Sequence, residues 1–209
     1  TYTDKIIYDI EPPTIDGVKI NDGATYTSTQ FLNIVWSGTD STSGIAWYYY
    51  SFTNGSGTTQ GMITTGTATQ LGTLTQGTVS VYVWARDNAG NIGGSNYDTI
   101  IMDTQGPVVT VTAAPAGVLR KGTVEVLFTA ADAISGILGT PTIYIDGATS
   151  TTQWSSPNGT YTWVTANWPD GSHIYKIRTI DILGNIGDSE LRVLIIDNSA
   201  PIAPILAQP

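Results

Sequence analysis

Short runs of alternating hydrophobic and polar residues run along the whole chain, separated by clusters of Gly, Asn, Asp and Ser about every 8 to 20 residues. Helical periodicity is weak throughout, so the pattern predicts an all-β protein. In the first half of the chain we predict strands near residues 14–20, 30–37, 45–53, 59–65, 78–86 and 97–102. In the second half we predict them near residues 107–113, 122–130, 140–146, 159–166, 172–180 and 190–196.

The run from Val79 to Arg86 shows the pattern most clearly, because small apolar residues alternate with polar or large ones. One face of this strand is expected to line a core, with Val79, Val81, Val83 and Ala85 pointing inward. A similar strand in the second half is expected to point Tyr175, Ile177 and Thr179 inward. Tyr175 follows the turn Pro169–Ser172, a position from which a corner tyrosine hydroxyl bonds back to the turn.

The pattern repeats with an offset of 94 residues and no gap: Asp9, Asp103 and Asp197 are equally spaced, and Asp87–Gly93 recurs as Asp181–Gly187. Such a period indicates an array of similar modules. We predict two tandem immunoglobulin-like β-sandwich domains, because half a dozen strands per repeat occur without crossover helices. The expected boundaries are 10–103 and 104–197. Residues 1–9 are interpreted as the last strand of a preceding repeat or a donated strand, and 198–209 as a linker or the start of a following repeat.

Composition narrows the class of protein. The chain of 209 residues has 8 Lys and Arg against 17 Asp and Glu, a net charge of −9, which argues against nucleic acid and anionic membrane surfaces as partners. Cysteine is absent, so no disulfide and no Cys-based zinc site is expected. Polarity comes mainly from Thr, Ser and Gly, a balance typical of extracellular β-proteins. No membrane-inserted segment or signal peptide is visible, so an export signal is expected outside this stretch.

Four turn motifs carry a resemblance to a known family: Asp103–Pro107, Asp132–Ile137, Pro169–Tyr175 and Asp181–Asn185. Together they resemble the bacterial immunoglobulin-like (Big-type) tandem repeats of large cell-surface and extracellular proteins. The first repeat carries Asp40–Ile45 and Asp87–Asn91 but departs from the pattern at Thr75–Thr78. The resemblance implies a repeat of an adhesin, surface-layer (S-layer) protein, fibre or enzyme spacer, since this fold serves all of them.

Carboxylates at the ends of the repeats are the main candidate site. In a sandwich of this type, the segment before the first strand and two of the loops lie at one end, which would gather three Asp residues in each repeat. The first set is Asp9, Asp40 and Asp87, and the second is Asp103, Asp132 and Asp181. Three carboxylates without nearby cations favour Ca²⁺, which takes six to eight oxygen ligands. The alternative is that each Asp accepts backbone hydrogen bonds in a tight turn without metal. The resemblance also implies calcium at junctions between repeats.

Other chemistry has little support in the sequence. His173 is the only histidine, and it stands beside a turn without a second His or any Cys, so a structural role is expected. No nucleophile elbow or phosphate-binding loop is found. Gly90, Asn91, Gly184 and Asn185 are interpreted as turn residues that tolerate positive φ. Two sequons, at Asn54 and Asn158, match the N-glycosylation pattern.

The interpretation that unites these features is a non-enzymatic extracellular structural repeat: a stalk, surface-layer or fibre unit whose partners are neighbouring repeats. A homopolymer formed by strand donation is a sharper version of this hypothesis. The alternative is an adhesive or carbohydrate-binding module. Its carriers would be exposed rings in Trp47–Tyr50, half of which are expected in the core, together with Tyr82 and Trp84. The copies of these last two are Lys176 and Arg178, so a glycan platform is expected on the first repeat only.

Overall fold

The computed structural model describes residues 8–54, 59–72, 74–115, 117, 119–149 and 158–200. The chain forms two compact units, Thr1–Thr104 and Gln105–Pro209, whose boundary falls next to the 103/104 boundary expected from the repeat. Most of the terminal segments predicted as a strand of a preceding repeat and the start of a following one lies outside the described residues. Tyr8, Asp9 and residues 198–200, which are described, are not in strands.

The strands of the first unit are β1 (Thr14–Ile20), β2 (Tyr26–Thr27), β3 (Leu32–Thr39), β4 (Ile45–Thr53), β5 (Thr59–Thr64), β6 (Ala68–Leu71), β7 (Gly77–Asp87) and β8 (Asn96–Met102). They form a sandwich of a three-stranded and a five-stranded sheet, ordered β1-β3-β6 and β2-β8-β7-β4-β5. All strand pairs are antiparallel except the short β2–β8 pair.

The strands of the second unit are β9 (Val108–Ala113), β10 (Leu119–Arg120), β11 (Thr123–Ala131), β12 (Ile137–Ile145), β13 (Ala148–Thr149), β14 (Gly159–Val164), β15 (Gly171–Asp181), β16 (Ile186–Asp188) and β17 (Arg192–Ile196). They repeat the arrangement of the first unit, with sheets ordered β14-β11-β9 and β10-β17-β15-β12-β13 and an added strand β16 beside β15. Strand β7 and its copy β15 begin and end 94 residues apart.

Each unit has its own hydrophobic core, built from the inward positions of both sheets. In the first unit Ile34 and Trp36 of β3 meet Tyr50 and Val81 of the larger sheet. In the second unit Phe128, Trp163 and Ile177 are almost wholly buried. Two facing sheets that exclude water from such side chains form a β-sandwich, so the predicted all-β, immunoglobulin-like fold class is confirmed.

The inward positions predicted for β7 and β15 are confirmed, because all four residues of the first set and all three of the second are buried. The predicted hydrogen bond of Tyr175 is wrong. Its hydroxyl is buried without a hydrogen-bond partner among the described residues, and its ring stands edge-on to Trp163 at 5.7 Å between centroids. Tyr175 therefore contributes ring packing, and not a corner hydrogen bond.

Five short strands were not predicted, namely β2, β6, β10, β13 and β16. Four of them have two or three residues, too few to show an alternation. Short 3-10 turns occupy Asn21–Gly23 and Thr165–Asn167. The described residues contain no helix with the length and hydrophobicity needed to cross a membrane.

Candidate functional site

Three carboxylates of the first unit come together from three separate segments. Asp9 precedes β1, Asp40 lies in the loop between β3 and β4, and Asp87 is the last residue of β7. One carboxylate oxygen from each lies within 4.8 Å of the others. The structure thus places the first predicted set at one point of the unit.

Asp40 organises its own loop. Its Oδ1 accepts hydrogen bonds from the backbone N–H groups of Ser43 and Gly44, at 2.9 and 2.6 Å, and a longer one from Thr42. Gly44 has a φ of 74°, a conformation that lets the chain turn back over the carboxylate. Among the described residues, no hydrogen bond reaches the other oxygen of Asp40, Oδ2, which leaves it available to a ligand.

Asp87 is almost completely buried and accepts three short hydrogen bonds. Its Oδ1 accepts from the N–H groups of Gly90 and Asn91, at 2.6 and 2.8 Å, and its Oδ2 accepts from Asn91 Nδ2 at 2.8 Å. Burial raises the pKa of the carboxyl group, but the hydrogen bonds from Asn91, Gly90 and Ala89 outweigh it and lower the pKa below its ordinary value. Asp87 is therefore ionised at neutral pH.

Asp9 is tied to both loops. Its Oδ2 accepts a hydrogen bond from Ser43 N–H at 3.1 Å, and its backbone carbonyl accepts one from Asn91 Nδ2 at 3.2 Å. The Asn91 amide therefore donates to Asp87 and to Asp9 at once. The segment that leads into β1 is held against the loops that contain Ser43 and Asn91.

The donor set of these three residues fits a hard cation. Within the described part of the chain, no Lys or Arg side chain pairs with the three carboxylates, which are met only by neutral N–H donors. A carboxylate oxygen that accepts one hydrogen bond keeps a second lone pair. Asp40 Oδ1 and Asp87 Oδ1 each accept at least two hydrogen bonds, so the three side chains offer four other carboxylate oxygens to an ion. Water can complete the six to eight oxygen ligands that Ca²⁺ takes.

The second unit repeats the local geometry at Asp132 and Asp181. Asp132 Oδ1 accepts from Gly136 N–H at 2.8 Å, and the buried Asp181 accepts from both the backbone and the side-chain amide of Asn185. A carboxylate oxygen of Asp132 lies within 4.8 Å of one of Asp181. Asp103, the last residue predicted for this set, follows β8 in the first unit, is buried, and accepts a hydrogen bond from Gln76 Nε2 at 3.0 Å.

The turn glycines and asparagines have different roles. Gly90 and Gly184 have φ angles of 104° and 87°, as expected for turn residues. The expected positive φ of Asn91 and Asn185 is wrong, since neither is among the residues with that conformation. Their importance lies in the side-chain amides, which bind the carboxylates of Asp87 and Asp181.

Two glycines whose role was not predicted from the sequence pack closely against the segments that lead into β1 and β9. A Cβ atom on Gly93 would overlap the carbonyl oxygen of Pro13, and one on Gly187 would overlap that of Pro107. The recurrence of glycine at both positions was the available signal. The packing reason could not be read from it, because the partner backbone is about 80 residues away in sequence.

His173 has a structural environment, as expected. The ring is nearly buried, with Nδ1 2.6 Å from Asp146 Oδ2 and Nε2 2.9 Å from the Pro169 carbonyl oxygen. Burial lowers the pKa of the imidazole, but the hydrogen bonds to Asp146 and Pro169 and the charge of Asp146 outweigh it, so that the pKa is raised. Two acceptors around one ring favour the doubly protonated form.

The solvent-facing side of the larger sheet differs between the units. In the first unit it carries aromatic residues: Tyr49 lies 4.5 Å from Trp84, and Tyr82 stacks on Tyr97 at 5.4 Å between ring centroids. Tyr48 and Tyr50 point into the core, so half of the Trp47–Tyr50 run is buried, as expected.

In the second unit the same side carries charges. Lys176 Nζ and Arg178 Nε each lie 2.7 Å from the Asp188 carboxylate, and Arg178 also stacks over Tyr144 at 5.2 Å. The hydrogen bonds from Arg178, followed by those from Lys176 and the two positive charges, outweigh burial and lower the pKa of Asp188 to about 2. The two units thus bury the same positions of β7 and β15 and differ on the exposed faces of these strands.

Of the predicted sequons, Asn158 is exposed just before β14, and its Oδ1 accepts a hydrogen bond from Ala130 N–H at 2.9 Å. The sequon of Asn54 continues into residues outside those that the structure describes.

No protein-family model matches the chain, and no curated protein matches it. Solved structures of similar fold exist. Fibronectin(III)-like modules of Clostridium thermocellum CbhA align with a TM-score of 0.39 and 17% identity, over 87% of this chain and 94% of theirs. A structure of a 1.5-MDa bacterial ice-binding adhesin aligns with a TM-score of 0.48 and 15% identity, over 92% of this chain and 67% of its own. A two-domain fibronectin type III segment of chicken tenascin aligns with a TM-score of 0.39 and 11% identity, over 87% and 97% of the two chains. These values assign the chain to no family.

Proposed function

We propose that this chain is a non-enzymatic extracellular structural repeat, a part of a stalk, surface layer or fibre, in which Ca²⁺ stiffens the end of the first unit. The observation that carries the proposal is the convergence of Asp9, Asp40 and Asp87 within 4.8 Å. These carboxylates come from the segment before β1, the loop between β3 and β4, and the end of β7. A cation bound by all three carboxylates would hold these three parts of the chain in fixed positions relative to one another.

The architecture supports a mechanical role. Strand β7 pairs with β4 on one side and with β8 on the other, so its backbone is bonded along most of its length. Extending the unit would require breaking these pairs and exposing the buried side chains of β7. Neighbouring repeats are the proposed partners.

Charge supports the calcium part of the proposal. Three carboxylates confined to this space repel one another, and neutral N–H donors reduce that repulsion only in part. A divalent ion would remove it. The same argument extends, through the 94-residue offset, to Asp103, Asp132 and Asp181 as a second set.

Calorimetric titration of chelator-treated protein tests calcium binding. We expect heat of binding with CaCl₂ and a rise in melting temperature at millimolar Ca²⁺. The variant Asp40→Asn keeps an oxygen at Oδ1 for the loop hydrogen bonds and should lose one bound ion, and Asp132→Asn should lose another. Asp22→Asn is the matched control, because Asp22 is exposed, lies away from the set and has a φ of 58° that Asn tolerates.

A lack of binding heat, together with an unchanged melting temperature in Ca²⁺, would remove the metal from the proposal and leave the carboxylates as turn-forming residues. If Asp22→Asn and Asp40→Asn lost calcium binding equally, the heat would reflect nonspecific charge screening and not a bound ion.

The mechanical part is tested separately by electron microscopy of the purified protein. Isolated particles that show two globular domains would support a segment of a longer array of repeats. Regular polymers would support a filament formed by strand donation, and a chain that starts at Pro12 should then fail to polymerise. A single undivided globule would contradict both forms of the structural proposal.

A further inference from the structure

A cleft crosses the exposed face of the larger sheet in the first unit. Tyr82 and Trp84 are two residues apart on β7 and lie on its outward side. They lean in opposite directions, because Tyr82 stacks on Tyr97 of β8 while Trp84 packs against Tyr49 of β4. The space between the two aromatic pairs stays open.

The cleft is open to solvent and has a volume of about 410 Å³. Besides the two rings it is lined by Ser51, which is opposite Tyr82 on β4, and by Ile92, Gly93 and Ser95 of the segment after β7. This volume is within the range of small-molecule sites, which combine apolar walls with a few polar groups. The six lining residues that the structure describes are all uncharged.

We propose that this cleft binds a neutral glycan, which gives the first unit an adhesive function beyond its structural role. Because Tyr82 and Trp84 lean towards opposite neighbouring strands, a ring-shaped ligand can lie over β7 with one aromatic pair on each side. A pyranose ring presents C–H groups on its faces and hydroxyls around its edge. The faces suit the aromatic walls, and the edge hydroxyls suit the serines.

The neutrality of the cleft decides between ligand classes. Arg86 is the nearest cation on this face of β7, and it is engaged, since its Nε donates to the Gly90 carbonyl at 3.2 Å and its guanidinium lies over Trp47. No cation of the cleft lining is available to a phosphate, sulfate or uronate. The net charge of −9 further opposes a polyanion.

The second unit provides an internal comparison. At the positions of Tyr82 and Trp84 it carries Lys176 and Arg178, which both pair with Asp188. The aromatic walls are missing there, so the proposal assigns one glycan site to the chain.

The test is affinity electrophoresis and pull-down of the full chain with insoluble or gel-embedded neutral polysaccharides: cellulose, chitin, mannan, starch and galactan. Polygalacturonate and heparin serve as acidic counterparts. We expect retention by at least one neutral polysaccharide and by neither acidic one. Trp84→Ala and Tyr82→Ala should each weaken retention by about tenfold or more. Phe31→Ala, which removes an exposed ring outside the cleft, should leave it unchanged.

Thermal melts of each variant establish that it is folded. Retention by none of the neutral polysaccharides would overturn the proposal. It would also be overturned if Trp84→Ala and Tyr82→Ala bind as the parent does, or if Phe31→Ala loses as much affinity as they do. If the polysaccharide still retains the chain after chelation of Ca²⁺, glycan binding does not depend on the calcium site.

Discussion

His173 Nδ1 and Asp146 Oδ2 lie 2.6 Å apart and join strand β15 to the turn between β12 and β13. Asp146 has a φ of 49°, and its Oδ1 also accepts from Ile174 N–H at 2.9 Å. One carboxylate therefore fixes the turn and holds the imidazole in place. Its pKa is raised by burial, but the hydrogen bonds from His173 and Ile174 and the histidine charge outweigh burial and lower it.

This pair predicts a pH dependence of stability. Because the folded-state pKa of His173 is raised, its stabilising contribution is fully present below the ordinary value near 6.5 and is lost as pH rises through the raised value. We expect the melting temperature of the second unit to fall over that interval. Calorimetry measures it, and NMR reads the titration directly, since the chain has one histidine. Asp146→Asn, which keeps the turn conformation, should lower the pKa of His173 and flatten this slope.

Gly93 and Gly94 form a matched pair for a second prediction. A methyl group on Gly93 meets the Pro13 carbonyl, whereas one on Gly94 meets nothing within 4 Å. We expect Gly93→Ala to destabilise the first unit by about 2 kcal/mol or more, because backbone must move. Gly94→Ala should change stability by less than about 1 kcal/mol. Urea unfolding of both variants checks this, and similar midpoints would contradict the close backbone contact.

The side-chain amide of Asn91 is expected to stabilise the first unit. Asn91→Ala removes the hydrogen bonds to the Asp87 carboxylate and to the Asp9 carbonyl, and leaves a buried charge with fewer donors. The expected loss is about 2 kcal/mol in chelator-treated protein. Asn33→Ala, at an exposed position, serves as the control in the same unfolding measurement. Equal effects of the two changes would refute this role.

Asp188 predicts an acid-sensitive contribution in the second unit. Its pKa of about 2 is below the ordinary value of 3.8, so its ion pairs stabilise the fold above pH 4 and lose that effect as pH falls towards 2. The group is partly exposed, so Asp188→Asn should cost only about 1 kcal/mol at pH 7. The difference between variant and parent should shrink in calorimetric scans as pH falls through about 2, and a constant difference at all pH values would contradict this prediction.

Much of the framework could be read from the sequence because β7 and β15 alternate over eleven residues and recur at a fixed offset. The same offset, combined with the usual loop positions of a sandwich, predicted that Asp9, Asp40 and Asp87 converge. The two-residue strands were missed because they have no periodicity. The partners of His173, Gly93 and Asn91 were missed because they depend on which distant backbone or side chain arrives beside them.

Strands β7 and β15 bury the same alternate positions, but the outward side of β7 carries aromatic rings and that of β15 carries ion pairs. The inward residues specify the fold of each domain, and the outward residues of the same strand can vary without changing it. An array of such domains can therefore present a different binding surface on each domain while every domain keeps the same fold.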